Sequence, residues 1–264
     1  MVITLLTDFG DSDPYVASVK GVILSINPQA RLIDIAHNIR PHAIKQAAWV
    51  LNCCWAHYPA GTVHLAVVDP GVGSARRVIV VNKKDHTFLG PDNGVFSYLY
   101  VDPFQAYEVT DFRYARTEVS DTFHGRDLFA PLAAHLSRGI TSEEIGKIIT
   151  DPVSFEMVHP EETAEGLRGA IIHVDRFGNL TTNIRRDLFR RVFPDDRFKI
   201  LLNSRQIGEI ASSYDQHPPG SLLAIWGSQS YLEISANLSN AATQLGVEAS
   251  NCEQVEVLIR KESK

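Results

Sequence analysis

Residues 63–77 read VHLAVVDPGVGSARR. An apolar run suited to a buried strand ends on a carboxylate, Asp69, turns through Pro70, Gly71 and Gly73, and presents Arg76 and Arg77 ahead of a second apolar run. The texture around it repeats. VITLLT (2–7) and RLIDIA (31–36) read as strands, as do VHLAVVD and RRVIVVN. DPYVASVKGVILSI, stopped by Asn27-Pro28, and AIKQAAWVLNCCWAH (43–57) carry apolar residues at helical spacing. Strands alternating with helices imply βαβ units and a mostly parallel sheet covered by helices. Ligands of such sheets bind at the carboxyl ends of the strands, where Asp8 and Asp69 fall.

At 264 residues the chain has room for one large or two smaller domains, and 44% hydrophobic with 21% charged residues is the composition of a globular protein. A net charge of -6, with basic runs no longer than Arg76-Arg77 and Lys83-Lys84, excludes nucleic acid as the expected partner. No apolar stretch approaches a membrane span, and the N-terminus turns acidic at Asp8 where a signal peptide would stay apolar. Cys53, Cys54 and Cys252 form neither a disulfide framework nor a CxxC site, so the expected compartment is the cytoplasm.

Three regions follow: an α/β domain over 1–151, a linker over 152–168, and a smaller domain over 169–264. The first ends with DLFAPLAAHLSRG (127–139), expected as an amphipathic helix, and TSEEIGKIITDP, where Thr141 and Ser142 precede two glutamates in a capping pattern. The linker region holds two prolines and four glutamates without a period. The third consists of short strands, GAIIHVD, LTTNI, FKILLN, RQIGEIA, SLLAIWGS, SYLEIS and QVEVLIR, which suggest an antiparallel β-barrel.

Polar clusters punctuate this frame: TDFGDSD (7–13), DPGVGSARR, GPDNG (90–94), TFHGRD (122–127), DRFGN (175–179) and GSQSYLEISANLSN (227–240). Each has a purely structural reading: GPDNG a turn, Asp127 an N-cap, His124 a structural histidine, Arg76-Arg77 a solvated pair. Several such groups at one sheet edge favour function, because charge at buried strand ends is costly unless neutralised or used. Two chemistries fit. Asp8, Asp69, His124 and Asp127 could ligate a divalent metal for hydrolysis, or Asp69, Arg76 and His124 could position and polarise a water without one. A G-x-S-x-G elbow, a P-loop and a G-x-G-x-x-G fingerprint are all missing from the sequence.

The ordered set TDFG, DPGVG with RR, GPDNG, TFHGRD, DRFGN with TTNI, and YLEIS with NAA resembles the S-adenosyl-L-methionine hydroxide adenosyltransferases, relatives of fluorinases and chlorinases, from Thr7 to Ala242. The resemblance implies an N-terminal α/β domain, a C-terminal β-barrel, and a homotrimer with active sites between subunits. The implied reaction is S-adenosyl-L-methionine plus water giving adenosine and L-methionine, with no metal and no cofactor. It assigns Asp69, Arg76 and His124 to catalysis, water being the poor nucleophile that a guanidinium, an acid and an imidazole would activate and deprotonate for in-line attack on ribose C5′.

Substrate residues carry over in the same way. Asp8 would hold the ribose hydroxyls, Phe177 and Asn179 the adenine, Asp175 the methionine ammonium and Ser228 the carboxylate, with Glu233 of YLEIS among the substrate-binding set. Three departures from the halogenating relatives point to water over halide. Asp69 stands in place of a tyrosine, Gly125 in place of a halide-contacting serine, and only NKKDHTF lies where those enzymes carry a long insertion. Ala236 and His42 replace an arginine and a tryptophan of the halogenases. A halide-dependent adenosyl transferase and a non-catalytic binder of S-adenosyl-L-methionine or adenosine are the alternatives.

Overall fold

The computed structural model describes residues 1–264 apart from 102, 196, 204 and 262–264. It divides into two compact units, Met1–Phe155 and Glu156–Lys264.

Unit 1 runs β1 (Val2–Thr7), α1 (Tyr15–Ile26), β2 (Arg31–Ala36), α2 (Ile44–Cys54), β3 (Val63–Val67), β4 (Val78–Lys83), β5 (His86–Pro91), β6 (Gln105–Val109), α3 (Ala130–Leu136), α4 (Ser142–Ile145) and β7 (Gly146–Ile149). The sheet order is β2-β1-β3-β5-β4-β6-β7. Alternate residues face opposite sides, as a pleated strand requires. Ile3, Leu5, Val63, Leu65 and Val67 pack with α1 and α3, whereas Leu6, Ala66, Ile79, Val81 and Phe88 pack with Ala47 and Leu51 of α2. Helices therefore cover both faces.

The sheet is less parallel than the sequence suggests. Pairings β2-β1, β1-β3 and β3-β5 are parallel, but β5-β4, β4-β6 and β6-β7 are antiparallel. The Lys84-Asp85 connection accounts for the β5-β4 reversal. Both residues adopt positive φ, 47° and 60°, the geometry of a two-residue hairpin, which can only return the chain antiparallel. Because β3 still runs parallel to β1, Thr7-Asp8 and Val68-Asp69 emerge on one edge.

Two local expectations change. Residues Gly125–Phe129 form a π-helical turn leading into α3, and Asp127 lies fully buried inside it, so Asp127 is not an N-cap. Helix α3 is buried along nearly its whole length and is not amphipathic. The capping box does form, between Thr141 and Glu144.

Unit 2 contains β8 (Glu161–Thr163), β9 (Gly166–Val174), β10 (Leu180–Arg185), α5 (Arg186–Val192), β11 (Phe198–Leu202), β12 (Arg205–Ile207), β13 (Ile210–Ala211), β14 (Leu222–Trp226), β15 (Tyr231–Ala236), α6 (Ala241–Leu245) and β16 (Glu256–Lys261). Strand β8 and the start of β9 fall inside the stretch expected as a linker. The sheet, ordered β12-β11-β16-β9-β10-β15-β14-β13, is antiparallel except at β13-β14. It curls, since Ile207 of β12 shares one core with Leu222 and Ala224 near the opposite edge. Among the described residues no ladder closes it, so it is a half-barrel.

One polar chain inside unit 1 contributes to its response to acid. His64, with no exposed surface, lies 2.8 Å from the Thr4 hydroxyl and 3.1 Å from His86. Burial, reinforced by His86, lowers its pKa from 6.5 to about 3. The unfolded chain then binds a proton that the folded chain refuses, so stability falls as pH drops from about 6.5 toward about 3, by about 1.4 kcal/mol per unit from this group. Urea titrations at pH 7, 5.5 and 4.5 are expected to show this loss, and His64→Gln is expected to make it smaller.

Candidate active site

The opening stretch folds around its own acid. Asp69 leaves β3 with only 4% of its side chain exposed, a position costly for a carboxylate unless a cation reaches it. The turn from Pro70 to Ala75 supplies that cation. Gly73 permits the turn, having φ of 79° and a Cα so near the Asp121 carbonyl that a Cβ would sit 2.4 Å from the oxygen. Arg76 then donates from Nε to both Asp69 oxygens, at 2.9 Å each, and from Nη2 to Oδ2. Nη2 also lies 2.9 Å from His124 Nδ1, and the guanidinium lies 5.2 Å from the Phe129 ring centroid.

The second arginine solves a second buried acid. Arg77 points to the other side of the chain, where its Nε donates to Asp92 at 2.7 Å and its Nη1 to Asp151 at 2.9 Å. GPDNG is thus more than a turn. Asp92 is buried, and Asn93 Nδ2 donates to the Val68 carbonyl at 2.9 Å, fixing the residue before Asp69. Neither brace was assigned from the sequence, because residues 77, 92 and 93 carry no local mark of their partners.

An arginine can only donate, so the Arg76 contact makes His124 Nδ1 an acceptor and places the ring proton on Nε2. Burial and then the Arg76 charge hold the imidazole below its ordinary pKa. His124 is therefore a neutral donor through Nε2–H, with its basic nitrogen turned away to Arg76. With this tautomer, the proton removal expected from the sequence for Asp69 and His124 together would fall to Asp69.

Asp69 and His124 line a cleft of about 490 Å³ together with Asp8, Phe9, Tyr15, His42, Phe123, Gly125 and Arg126. Asp8 Oδ2 accepts the His42 backbone N–H at 2.9 Å, with His42 at φ 67°. The turn that carries Asp8 is tied to the next strand: the Thr7 hydroxyl lies 2.8 Å from His37 Nδ1, and Gly10 N–H donates to the His37 carbonyl. Phe9, Tyr15 and Phe123 pack along one wall with centroids 5.2–6.1 Å apart, Phe123 meeting the other two edge to face. Asp127, offered as a metal ligand, is committed instead to Arg126, Arg116 and the Ser120 N–H. Among the described residues no three His, Cys, Asp or Glu are grouped to hold a metal ion.

The remaining residues belong to unit 2. Asp175 closes the β9–β10 turn on itself, Oδ1 accepting the Phe177 and Asn179 N–H groups and Oδ2 the Asn179 amide, all at 2.9 Å. Phe177 rides the tip of this turn, 75% exposed. Gly178 lets Asn240 approach, since a Cβ there would meet the Asn240 side chain at 2.2 Å. Glu233 faces the same end, its carboxyl raised in pKa by burial and by Asp175. Ser228 is exposed on the β14–β15 turn.

Comparisons with known proteins agree with this frame. The models of the SAM hydroxide adenosyltransferase N-terminal and C-terminal domains match residues 3–146 and 169–251. The (R)-S-adenosyl-L-methionine hydrolase of Methanocaldococcus jannaschii is 35% identical over 94% of this chain and 92% of its own, and that of Thermus thermophilus 36% over 92% and 94%. A fluorinase from Actinoplanes is 28% identical over 70% of this chain and 72% of its own. A crystal structure of an uncharacterized conserved protein from Thermotoga maritima superposes with a TM-score of 0.90 at 35% identity, covering 99% of this chain and all of that one. The chain belongs to the SAM hydroxide adenosyltransferase family.

Proposed function

We propose that this protein hydrolyses S-adenosyl-L-methionine to adenosine and L-methionine, by attack of water on ribose C5′ in line with the departing sulfur. The observation that carries this reading is the buried Asp69–Arg76–His124 chain, which offers the cleft one acceptor carboxylate and one N–H donor side by side. The greater similarity to hydrolases, at 35–36% identity, than to a fluorinase, at 28%, supports water over halide.

The sulfonium is a good leaving group without acid assistance, so the work lies on the nucleophile. Water held between Asp69 and His124 would give a proton to Asp69 as the C5′–O bond forms and the C5′–S electron pair leaves with methionine. The Nε2–H of His124 would stabilise the developing hydroxide. Arg76 acts from behind: it orients the Asp69 carboxylate and fixes the His124 tautomer. Asp8, with one oxygen held by His42 and the other available, suits a pair of ribose hydroxyls. Phe177, Asn179, Asp175, Ser228 and Glu233 would complete the substrate site, Phe177 offering an exposed aromatic face for adenine. The reading requires neither metal nor cofactor. It includes a cytoplasmic homotrimer with sites shared between subunits, which light scattering at three chain masses would support and a monomer would refute.

Incubation with S-adenosyl-L-methionine in oxygen-18 water is expected to label the adenosine 5′-hydroxyl, with and without a chelator and with no 5′-chloro product in chloride. Unlabelled adenosine, or none, would overturn the reaction. Asp69→Asn keeps the shape but not the base, and is expected to lower kcat by about 10²- to 10⁴-fold. A variant turning over at the parental rate would remove Asp69 from the mechanism. NMR titration of the His124 imidazole is expected to give a midpoint below 6.5, moving upward in Arg76→Gln as the repelling charge is lost.

A further inference from the structure

The cleft contains one charged group that the chemistry above leaves idle. Its lining includes two acids, Asp8 and Asp69, and a single arginine, Arg126. Arg76 is not part of the lining, and its side chain is only 10% exposed, with Nε and Nη2 engaged by Asp69 and His124. Arg126 is different. Its side chain is 36% exposed, its Nε and Nη2 donate to the two Asp127 oxygens at 2.7 and 2.8 Å, and its plane lies 4.9 Å from the Phe123 ring centroid. Asp127 is itself immobilised by the Ser120 N–H at 3.0 Å and Arg116 Nε at 3.2 Å. One edge and one face of the Arg126 fork are thus fixed, and its Nη1 edge is left for a ligand.

Resting on the hydrolase reading, the ligand chemistry picks out what that edge would meet. The substrate carries two positive groups, sulfonium and ammonium, and one negative group, the carboxylate of its amino-acid part. Asp8 and Asp69 repel a carboxylate, whereas a fixed guanidinium edge accepts one through two parallel N–H donors. We propose that Arg126 binds the substrate carboxylate through its Nη1 edge and thereby selects sulfonium nucleosides with an intact amino-acid group over those lacking it. A site built around a charged hydrogen bond discriminates against an analogue without the partner, because the site's own group is then left desolvated and unpaired.

The test compares kcat/KM for S-adenosyl-L-methionine and for its decarboxylated analogue in the wild type, Arg126→Gln and Arg126→Lys. The wild type is expected to prefer the intact substrate by about 10- to 100-fold. Both variants are expected to lose that preference through a raised KM for the intact substrate, with the decarboxylated one changed less than about twofold, a margin within ordinary surface-substitution effects. Arg116→Ala, which removes another partner of Asp127, is expected to keep the preference. Equal use of both substrates by the wild type, or equal slowing of both in the Arg126 variants, would overturn the proposal and mark Arg126 as a brace for Asp127. Should Arg126→Gln not fold, Arg126→Lys, which keeps a charge beside Asp127, decides. A wild type that hydrolyses neither substrate would instead remove the reaction on which the proposal rests.

Discussion

Everything at this site follows from placing a carboxylate at the buried end of a parallel strand. Asp69 has 4% of its side chain exposed, and an unpaired charge there would cost several kcal/mol. The chain meets this by turning at once and returning a guanidinium seven residues later. A carboxylate so held cannot wander, because both its oxygens accept from one planar guanidinium. Stability and reactivity therefore make the same demand on Arg76.

The demand spreads outward through packing. Arg76 can reach Asp69 only if the intervening turn is tight, which brings Gly73 against the Asp121 carbonyl. That contact ties the turn to the segment carrying His124. The π-helical turn at Gly125–Phe129 then places His124 against Arg76, buries Asp127, and puts the Phe129 ring beside the same guanidinium. Such turns recur at functional sites because the extra residue per turn redirects a side chain that a regular helix would send elsewhere. Arg77, one residue on and facing the other way, neutralises Asp92, so one dipeptide secures the exits of two neighbouring strands, β3 and β5.

Much of this was legible in the residues. Apolar periodicity located β1, β2, β3 and both helices between them, and the acids at strand ends followed from a rule about parallel sheets. What the sequence concealed depended on partners distant in the chain or on conformations that composition does not encode. Lys84-Asp85 carries no glycine or asparagine, so its hairpin geometry and the β5-β4 reversal went unseen. The π turn has no sequence period of its own. Asp175 was read as meeting a ligand; that it also closes its own turn, accepting from Phe177 and Asn179, was not read from the sequence, although Asp side chains commonly bond backbone N–H groups two residues on. The His124 tautomer could be read only from the atom that faces Arg76.

The position of Arg76 behind Asp69 also resolves an electrostatic conflict. The proposed substrate brings a sulfonium to the reacting end of the cleft, and a guanidinium exposed there would repel it. Sunk behind Asp69 and His124, Arg76 forms with Asp69 a pair of zero net charge, and the cleft surface next to the sulfonium is carboxylate and neutral imidazole. The cation still acts at short range in a poorly solvated setting, where charge effects exceed those in water. In the proposed reaction its field would be felt by a water held between Asp69 and His124, and the sulfonium itself would add to the stabilisation of hydroxide as it forms. A lysine could neutralise Asp69, but its ammonium could not hold both Asp69 oxygens and His124 Nδ1 in one plane. The choice of arginine thus follows from the need to orient an acid and an imidazole together while hiding the charge that does so.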